Sequence, residues 1–592
     1  MAHHRLVTHP LVVRQLTVSA VTDLSPRLRR VTLTGPQLHE FERDGLSLPA
    51  FTAPGFDDHV KLIFASQGPI EDVLPRQLAH GIEWRPTPHL ASRDYTPRRV
   101  DPVAGELDLE FVRHGTGPAA TWADTAEPGS QLWLVGPKSS TLLPEEIDWV
   151  LLAGDETALP AIARFLDERP LDVPVRIVVN LPDDHGRITL RLQDGDTITW
   201  VVDPDPASLV PAVRQLDWPD GQVFAWAAGE SRSLLPLRRF LTREKSVPRT
   251  HINVTGYWVA EPEEPETTSP ATTGAGAAKT VAPAGPPEAP VEWFATRAAI
   301  RMGVLAELAG GPRSLADLAT TVGIGEEVLV PLSRILVAAE VLSDGDGVLA
   351  LGPVGDLIID DEHVADSFDG LEADLVVSLA DLDAAAHDGG PSWRRRHGRS
   401  LWAAAEAEAA VAVELTEQAE RLRYLSTGIT AAGLWPSLVA ERAHVSLHGP
   451  GAAVVAEMLS PDLELSIVAG ARFAAAQREQ VGRLADRWTW LSEASRCDIA
   501  VVALGLEHRT DDEAADLLTR IGTVTRRAVL VESVEHDALN PHAAEDALLS
   551  VAAIGRPPRS VADLTALAGR TGWQVAAVTG VGWGVALVEL SG

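Results

Sequence analysis

"WVLLAGDETALPAIARFLDE", residues 149–168, reads as an unbroken apolar strand, a tight Gly-Asp-Glu turn and a helix. Two further strands, "VPVRIVVN" at 173–180 and "QVFAWAAGE" at 222–230, and a further helix, "SLLPLRRFLTRE" at 233–244, keep the same rhythm. Alternating β and α elements predict a parallel sheet, hence an α/β domain of nucleotide-binding type over 146–260. Upstream, "LVVRQLTVSAVTDLSPRLRRVTLTG" (11–35), "DDHVKLIFA" (57–65) and "GELDLEFVRHG" (105–115) alternate β-branched and polar residues between Gly and Pro. That pattern predicts an antiparallel barrel or sandwich over 1–145.

Downstream, "EPEEPETTSPATTGAGAAKTVAPAGPPEAP" has almost no large apolar residue, so 261–290 reads as a flexible linker. Beyond it, "SLADLATTVG" (314–323), "EVLVPLSRILVAAEVL" (327–342) and "SDGDGVLALGP" (343–353) predict helix, turn, helix and short hairpin, a winged-helix pattern within a helical domain over 291–425. The second of these helices carries one basic residue, Arg334, which gives no footing for DNA. The β/α rhythm returns in "HVSLHG", "LELSIVAG", "CDIAVVALG", "RAVLVESV" and "WQVAAVTGVGWGVALVELS", predicting a second doubly wound domain over 426–592.

The totals narrow the function. At 592 residues the chain exceeds one core, and 83 acidic against 50 basic residues leave a formal charge of −33. Such a surface repels nucleic acid and anionic lipid. No apolar run is long enough for a membrane span and the N-terminus does not read as a signal peptide, so a cytoplasmic protein is expected. Cys497 is the sole cysteine, which excludes an internal disulfide and Cys-ligated zinc or iron–sulfur centres. No metal-ligand cluster and no catalytic side chain stands out, so redox chemistry would have to come from a bound cofactor.

One stretch looks like a ligand grip. In "SRDYTPRRV", residues 92–100, Arg93 and Tyr95 fall on one side of an extended strand. The guanidinium suits a pyrophosphate, the ring a planar heterocycle, and Thr96, just before Pro97, a ring nitrogen. Read alone, the stretch fits an exposed edge strand with solvated arginines at least as well. The turn at Gly154, Asp155, Glu156 and Thr157 presents amides at a helix start, which suits a dinucleotide phosphate. Yet two of those residues are acidic and the G-x-G-x-x-G fingerprint is absent.

Together with "RDYTPR" (93–98), "FVRHGTGPAATWADTAEPGSQLWLVGP" (111–137), "AWAAGESRSLLPLRRFL" (225–241) and "GYWVAE" (256–261), these segments resemble the siderophore-interacting proteins, flavin-dependent ferric-siderophore reductases of the ferredoxin-reductase superfamily. The resemblance spans residues 8–261. It implies that Arg93, Tyr95 and Thr96 hold FAD, with His114, Gly117, Pro118, Ala119, Ala120 and Thr121 as the second diphosphate clamp. It implies a nicotinamide nucleotide near Gly154–Thr157 and Glu230, Arg232, Arg238 and Arg239. Asp183 and Asp184 would oppose a 2′-phosphate, so NADPH and NADH both stay open, as does a ferredoxin donor. The iron arrives already chelated, and the resemblance points to Lys61 with His59, then Arg98 and Arg238, as the cations that hold the anionic chelate.

The second half resembles small-molecule O-methyltransferases that dimerise through a winged helix. The carriers are "TRAAIRMGVLAEL", "SLADLATTVGIGEEVLVPLSRILVAAEVL", "HDGGPSWRRRHGRSLW" and "HRTDDEAADLLTRI". Its S-adenosylmethionine (SAM) tools are degraded: "SLHGPGAAV" keeps only Gly449 and Gly451, "SIVAGARF" offers no carboxylate, and Glu507 stands where the general-base His would fall, with His508 one place on. SAM binding is therefore not expected, and a scaffold role with a homodimer through 291–425 is. Two rival readings remain, a bifunctional reductase and methyltransferase, and a non-catalytic flavin- or siderophore-binding protein.

Overall fold

The computed structural model describes residues 6–85, 87–113, 117–259, 289–535, 540 and 542–592. The linker expected over 261–290 lies outside them, save for its last two residues.

The first sheet has seven antiparallel strands. In spatial order these are Pro97–Asp101, Glu106–Val112, Leu28–Thr34, Val13–Ser25, Gln131–Val135, Val60–Ala65 and Leu90–Tyr95. Its two outermost strands are consecutive in the chain and meet at Thr96, so the sheet curls around one core. Leu16, Val31, Leu33, Leu62, Leu107, Leu109, Phe111 and Leu134 fill that core, each under 1% exposed. Alternation in Glu106–Val112 did not mean a wet outer face. Asp108 and Glu110 are each 2% exposed. Arg99 reaches Asp108 at 2.7 Å and Arg30 reaches Glu110 at 2.5 Å, so arginines on neighbouring strands seal that face.

The second sheet follows the order Thr197–Val202, Val175–Leu181, Trp149–Asp155, Val223–Glu230, Ile252–Trp258, with the first four strands parallel. Every residue of Trp149–Asp155 is buried, as the apolar run predicts. Helix Leu159–Glu168 packs on this sheet through Leu159, Ile162, Phe165 and Leu166.

Arg164 of this helix is 2% exposed. Its guanidinium donates to the carbonyls of Pro97, at 2.9 Å, and of Ala53, and to Glu168 at 2.7 Å. The α/β layer thus holds the barrel at the corner that follows Thr96.

In the second half, helices Leu315–Val322 and Glu326–Ala338 precede a hairpin, Leu342–Gly345 with Val348–Leu351, to which Arg313–Ser314 adds a short strand. Ser314 caps the first of these helices and Gly323, at φ 70, ends it. The last sheet runs Thr489–Leu491, Glu464–Val468, His444–His448, Ile499–Ala503, Arg527–Ser533, Val585–Ser591, Gln574–Gly582. Its first five strands are parallel, Val585–Ser591 runs antiparallel to them, and Gln574–Gly582 pairs antiparallel with Val585–Ser591.

By packing, the chain divides into two compact units. One comprises the chain up to Gly229, Phe240–Thr255 and Leu375–Gly592, and the other Glu230–Arg239 with Gly256–Asp374. The division at Asp374 falls inside the stretch expected to form one helical domain.

Arg164→Ala would leave two buried carbonyls without their donor. It is expected to lower stability by on the order of 3 kcal/mol, read as a fall in the urea midpoint; an unchanged midpoint would show that the corner is held by other contacts.

Candidate functional site

Register decides which side chains share the grip. Tyr95 pairs with Val60, Asp94 with Lys61 and Arg93 with Leu62. Directly paired residues share a face. Arg93 and Tyr95 therefore lie on the face of Val60 and Leu62, whereas Lys61 and Asp94 lie on the other. Tyr95 is half-buried, its ring centroid 4.5 Å from that of Phe111. Burial pushes its phenol up to about 12, offset only in part by Arg93. Arg93 is exposed, and its guanidinium donates to the carbonyl of its own neighbour Ser92 at 2.8 Å. Thr96 is 7% exposed, at the junction of the two strands. An accessible cation, an anchored ring and a hydroxyl thus occupy one corner.

Helix Pro118–Thr125 begins beside this sheet. Gly117 is its N-cap in extended conformation, Pro118 sits where a missing N–H is harmless, and no side chain caps the first turn. The Thr121 amide donates to Gly117 O at 2.9 Å, while Ala119 and Ala120 belong to the first turn, whose amides have no partner within the helix. A Cβ on Gly117 would meet nothing within 4 Å, so the approach is open. His114 lies outside the described residues.

The turn after Trp149–Asp155 corrects an expectation. A Cβ on Gly154 would stand 2.3 Å from Ala228 O, so glycine is there for strand and helix packing. The Thr157 amide donates to Asp155 at 2.8 Å and its hydroxyl at 2.5 Å, so this amide is already engaged by the turn's own carboxylate. Glu156 accepts two hydrogen bonds from Arg27, at 2.7 and 2.6 Å, and Asp183 stands 3.4 Å from the same guanidinium. As built, the turn is closed on itself rather than open to a phosphate. Glu230, 3% exposed, accepts from the Ser233 amide at 2.7 Å.

Two expected surface cations are engaged elsewhere. Arg98 has an 11% exposed side chain, is paired with Asp167 and stands 3.5 Å from Glu110, which makes it a tie between helix and barrel. Arg238 donates to Asp361 at 3.1 Å; next to it, Arg239 contacts Asp356 at 2.6 Å and Asp360 at 2.7 Å.

Lys61 pairs across the strands with Asp94 at 2.9 Å and stays about one-third exposed. The neighbouring His59 reaches solvent, yet the protein around it, with Lys138 and Lys61, holds its imidazole below the usual range. Lys138 completes the cluster and was missed from sequence. It stands one residue past the "LWLVGP" string that marks the strand before it. Among the described residues no three His, Cys, Asp or Glu side chains gather as a metal site.

Beneath His59, Asp58 is 2% exposed and accepts from Ser140, at 2.8 Å, and from the Gly55 amide, at 2.9 Å. Burial still pushes its carboxyl up to about 6. A carboxyl raised in the folded state binds its proton more tightly than in the unfolded chain. Its contribution is therefore full below the ordinary carboxylate pKa and fades as pH rises through about 6. Asp58→Asn should flatten stability between pH 4 and pH 7, a swing on the order of 2–3 kcal/mol, measured as urea midpoints; an unchanged slope would place the titration elsewhere.

In the second half, a cavity of about 720 Å³ opens at the carboxyl ends of the parallel strands, lined by Trp402, His448, Phe473, Arg509, Arg520 and Glu493 among others. Arg509 is 5% exposed and lies over the Trp402 ring at 3.3 Å from its centroid. The residues after Glu464–Val468, Ala469 and Gly470, supply no carboxylate for ribose hydroxyls. Glu507 is paired with Arg421 at 2.6 Å, so it is not a free base, and burial lowers the pKa of His508. Carboxylates in this cavity come instead from Glu406, Glu493, Glu513 and Asp516, and no methyl-transfer step is derived from it.

Residues 17–141 match the family described as the siderophore-interacting FAD-binding domain, and residues 147–261 the siderophore-interacting protein family. The chain is 33% identical over 258 residues to an NADPH-dependent ferric-chelate reductase of Escherichia coli, covering 43% of this chain and 96% of that one. It is 33% identical over 244 residues to the ferric vibriobactin reductase ViuB of Vibrio cholerae, covering 40% and 85%. It is also similar to the solved structure of an O-methyltransferase from neocarzinostatin biosynthesis, 23% identical, with a TM-score of 0.41 and coverage of 50% and 95%. Through its barrel and first α/β layer, the chain belongs to the siderophore-interacting protein family.

Proposed function

We propose that this protein is an FAD-dependent reductase of ferric siderophores. The observation that carries the reading is the corner at Arg93, Tyr95 and Thr96, set beside an uncapped helix start. An exposed guanidinium suits a diphosphate, an anchored aromatic face suits a flat ring, and first-turn amides suit a second anionic group. These residues fit FAD. When bound, FAD accepts two electrons from a donor and releases them singly to an acceptor.

The chain's own part is binding and exclusion. Arg93 neutralises phosphate, Tyr95 stacks against one side of the ring, and buried Thr96 presents a hydroxyl at its edge. Ala119 and Ala120 add first-turn amides, while the Thr121 amide closes the turn on Gly117 O. Lys138, and Lys61 in part because it is shared with Asp94, offer local positive charge on a chain of charge −33, where an anionic ferric chelate is drawn in. Iron is substrate, already chelated, and leaves once reduced because hard oxygen ligands hold Fe(II) less well.

The relatives' names favour a nicotinamide donor, NADPH first. A ferredoxin-type donor is a second reading, favoured by the Asp155-capped turn and by the pairing of Arg238 and Arg239 with carboxylates. The second half serves as a scaffold in this reading.

An anaerobic visible titration tests both. Flavin that bleaches with NADPH or NADH and returns on adding a ferric siderophore is the expected result. Flavin that ignores both nucleotides but bleaches with reduced ferredoxin selects the second donor, and a protein that binds no flavin rejects the reading. Arg93→Ala should weaken flavin retention about ten- to a hundredfold while leaving the urea midpoint within error; equal retention would remove Arg93 from the grip.

A further inference from the structure

Lys138 follows the strand Gln131–Val135 and opens the short strand Ser139–Thr141, which pairs with Leu6–Thr8. The same small ribbon touches the C-terminal half, where the Thr8 hydroxyl lies 2.6 Å from that of Ser426. There, two aromatic rings meet the Lys138 ammonium. Its Nζ is 4.7 Å from the centroid of Tyr424 and 5.7 Å from that of Trp583. The two rings stand 5.6 Å apart. Burial lowers the pKa of Lys138.

Trp583 is held in place by an unusual turn. Gly582, Trp583 and Gly584 have φ of 110, 51 and 68 in succession, so a bulky residue adopts the left-handed region between two glycines. The turn is pinned to the barrel. The Gly584 amide reaches Glu83 at 3.4 Å, and Cβ atoms on Gly582 and Gly81 would stand 3.2 Å from Ile82 O and 3.1 Å from Val581 O. At both points a side chain would have to push a backbone carbonyl aside by a few tenths of an ångström. Trp583 also packs against the C-terminal core that includes Val581, Val585 and Leu587.

We propose that Tyr424 and Trp583 are positioning residues for Lys138, and that the C-terminal half is thereby part of the site where a negatively charged ferric chelate docks. This rests on the reductase reading above. An ammonium against two ring faces is attracted by their quadrupoles and loses the rotamer freedom of a surface lysine. It is held near Asp94, Lys61 and His59, the groups that share its electrostatic environment. A fixed, partly dehydrated cation attracts an anion more strongly than a mobile one. On a chain this acidic, that local gain selects net-negative chelates such as tris-catecholates over neutral trihydroxamates.

The experiment uses the full-length flavin-loaded protein and three probes: the Fe(III) tris-catecholate, the neutral Fe(III) tris-acetohydroxamate, and the redox-inert Ga(III) tris-catecholate. Replacing both rings (Y424L with W583L) should raise KM for the tris-catecholate about tenfold, with kcat moving less than twofold. The Kd of the gallium complex should rise by the same factor, while KM for the neutral chelate stays put. Lys138→Ala should reproduce the effect and add nothing in the double variant, the signature of residues acting through one another. Tyr424→Phe, which keeps the ring, should behave as wild type, and equal flavin content across variants marks intact folding. An unchanged KM, a fall in KM, or an equal rise for the neutral chelate overturns the proposal. A wild-type protein that neither binds the gallium complex nor reduces the ferric one overturns the reductase reading, and this proposal with it.

Discussion

The guanidinium of Arg164 sets the geometry on which the site depends. It sits inside the protein and spends its donors on two main-chain carbonyls of the barrel, one of them Pro97 O. Pro97 follows Thr96, the point where the curled sheet's outermost strands meet. A backbone carbonyl held by a rigid, charged fork cannot drift. The strand carrying Arg93 and Tyr95 is thereby fixed relative to the α/β layer. Arg27 with Glu156 and Arg98 with Asp167 repeat the device at other points of the same seam. The α/β layer and barrel are joined by arginines reaching carboxylates and carbonyls, and each such pair removes a cation from the pool free to meet a substrate.

That accounting explains why the expected cations fared differently. The resemblance ranked Lys61 ahead of Arg98 and Arg238 and did not point to Lys138, whereas in the structure Arg98 is a structural tie, Arg238 meets an aspartate and Lys61 keeps part of its surface. On a strongly acidic chain most basic side chains meet a carboxylate. What distinguishes a binding cation is incomplete neutralisation, which is a property of three-dimensional neighbours.

Local grammar was legible. The apolar run at 149–155, the helix behind it and the hairpin at 342–351 follow from periodicity and turn residues, because strand and helix periods are written in adjacent letters. The corner at Arg93–Thr96 was legible for the same reason, since strand alternation places Arg93 and Tyr95 on one side. Long-range partners were not. Glu156 and Arg27 are separated by 129 positions, and their pairing offsets one of the two charges of an apparently hostile acidic turn. Likewise, alternation in Glu106–Val112 predicted polar residues facing outward but could not show that arginines of neighbouring strands would cover them. The interleaving of the two compact units was equally hidden, because composition marks a linker but not which segments pack together on either side of it.

The Gly582–Trp583–Gly584 turn has a consequence in time. A ribosome adding roughly 5–20 residues per second makes Lys138 on the order of half a minute before it makes Trp583. Once Trp258 is made the barrel and its α/β layer are complete in sequence, while the Trp583 ring that will face Lys138 does not yet exist. Until the hairpin that carries Trp583 is made, Lys138 of the nascent barrel is without that ring. Completion of that edge waits on the hairpin of Gln574–Gly582 and Val585–Ser591, so a chain without it would still hold the corner at Arg93, Tyr95 and Thr96 and yet lack the Trp583 ring that faces Lys138.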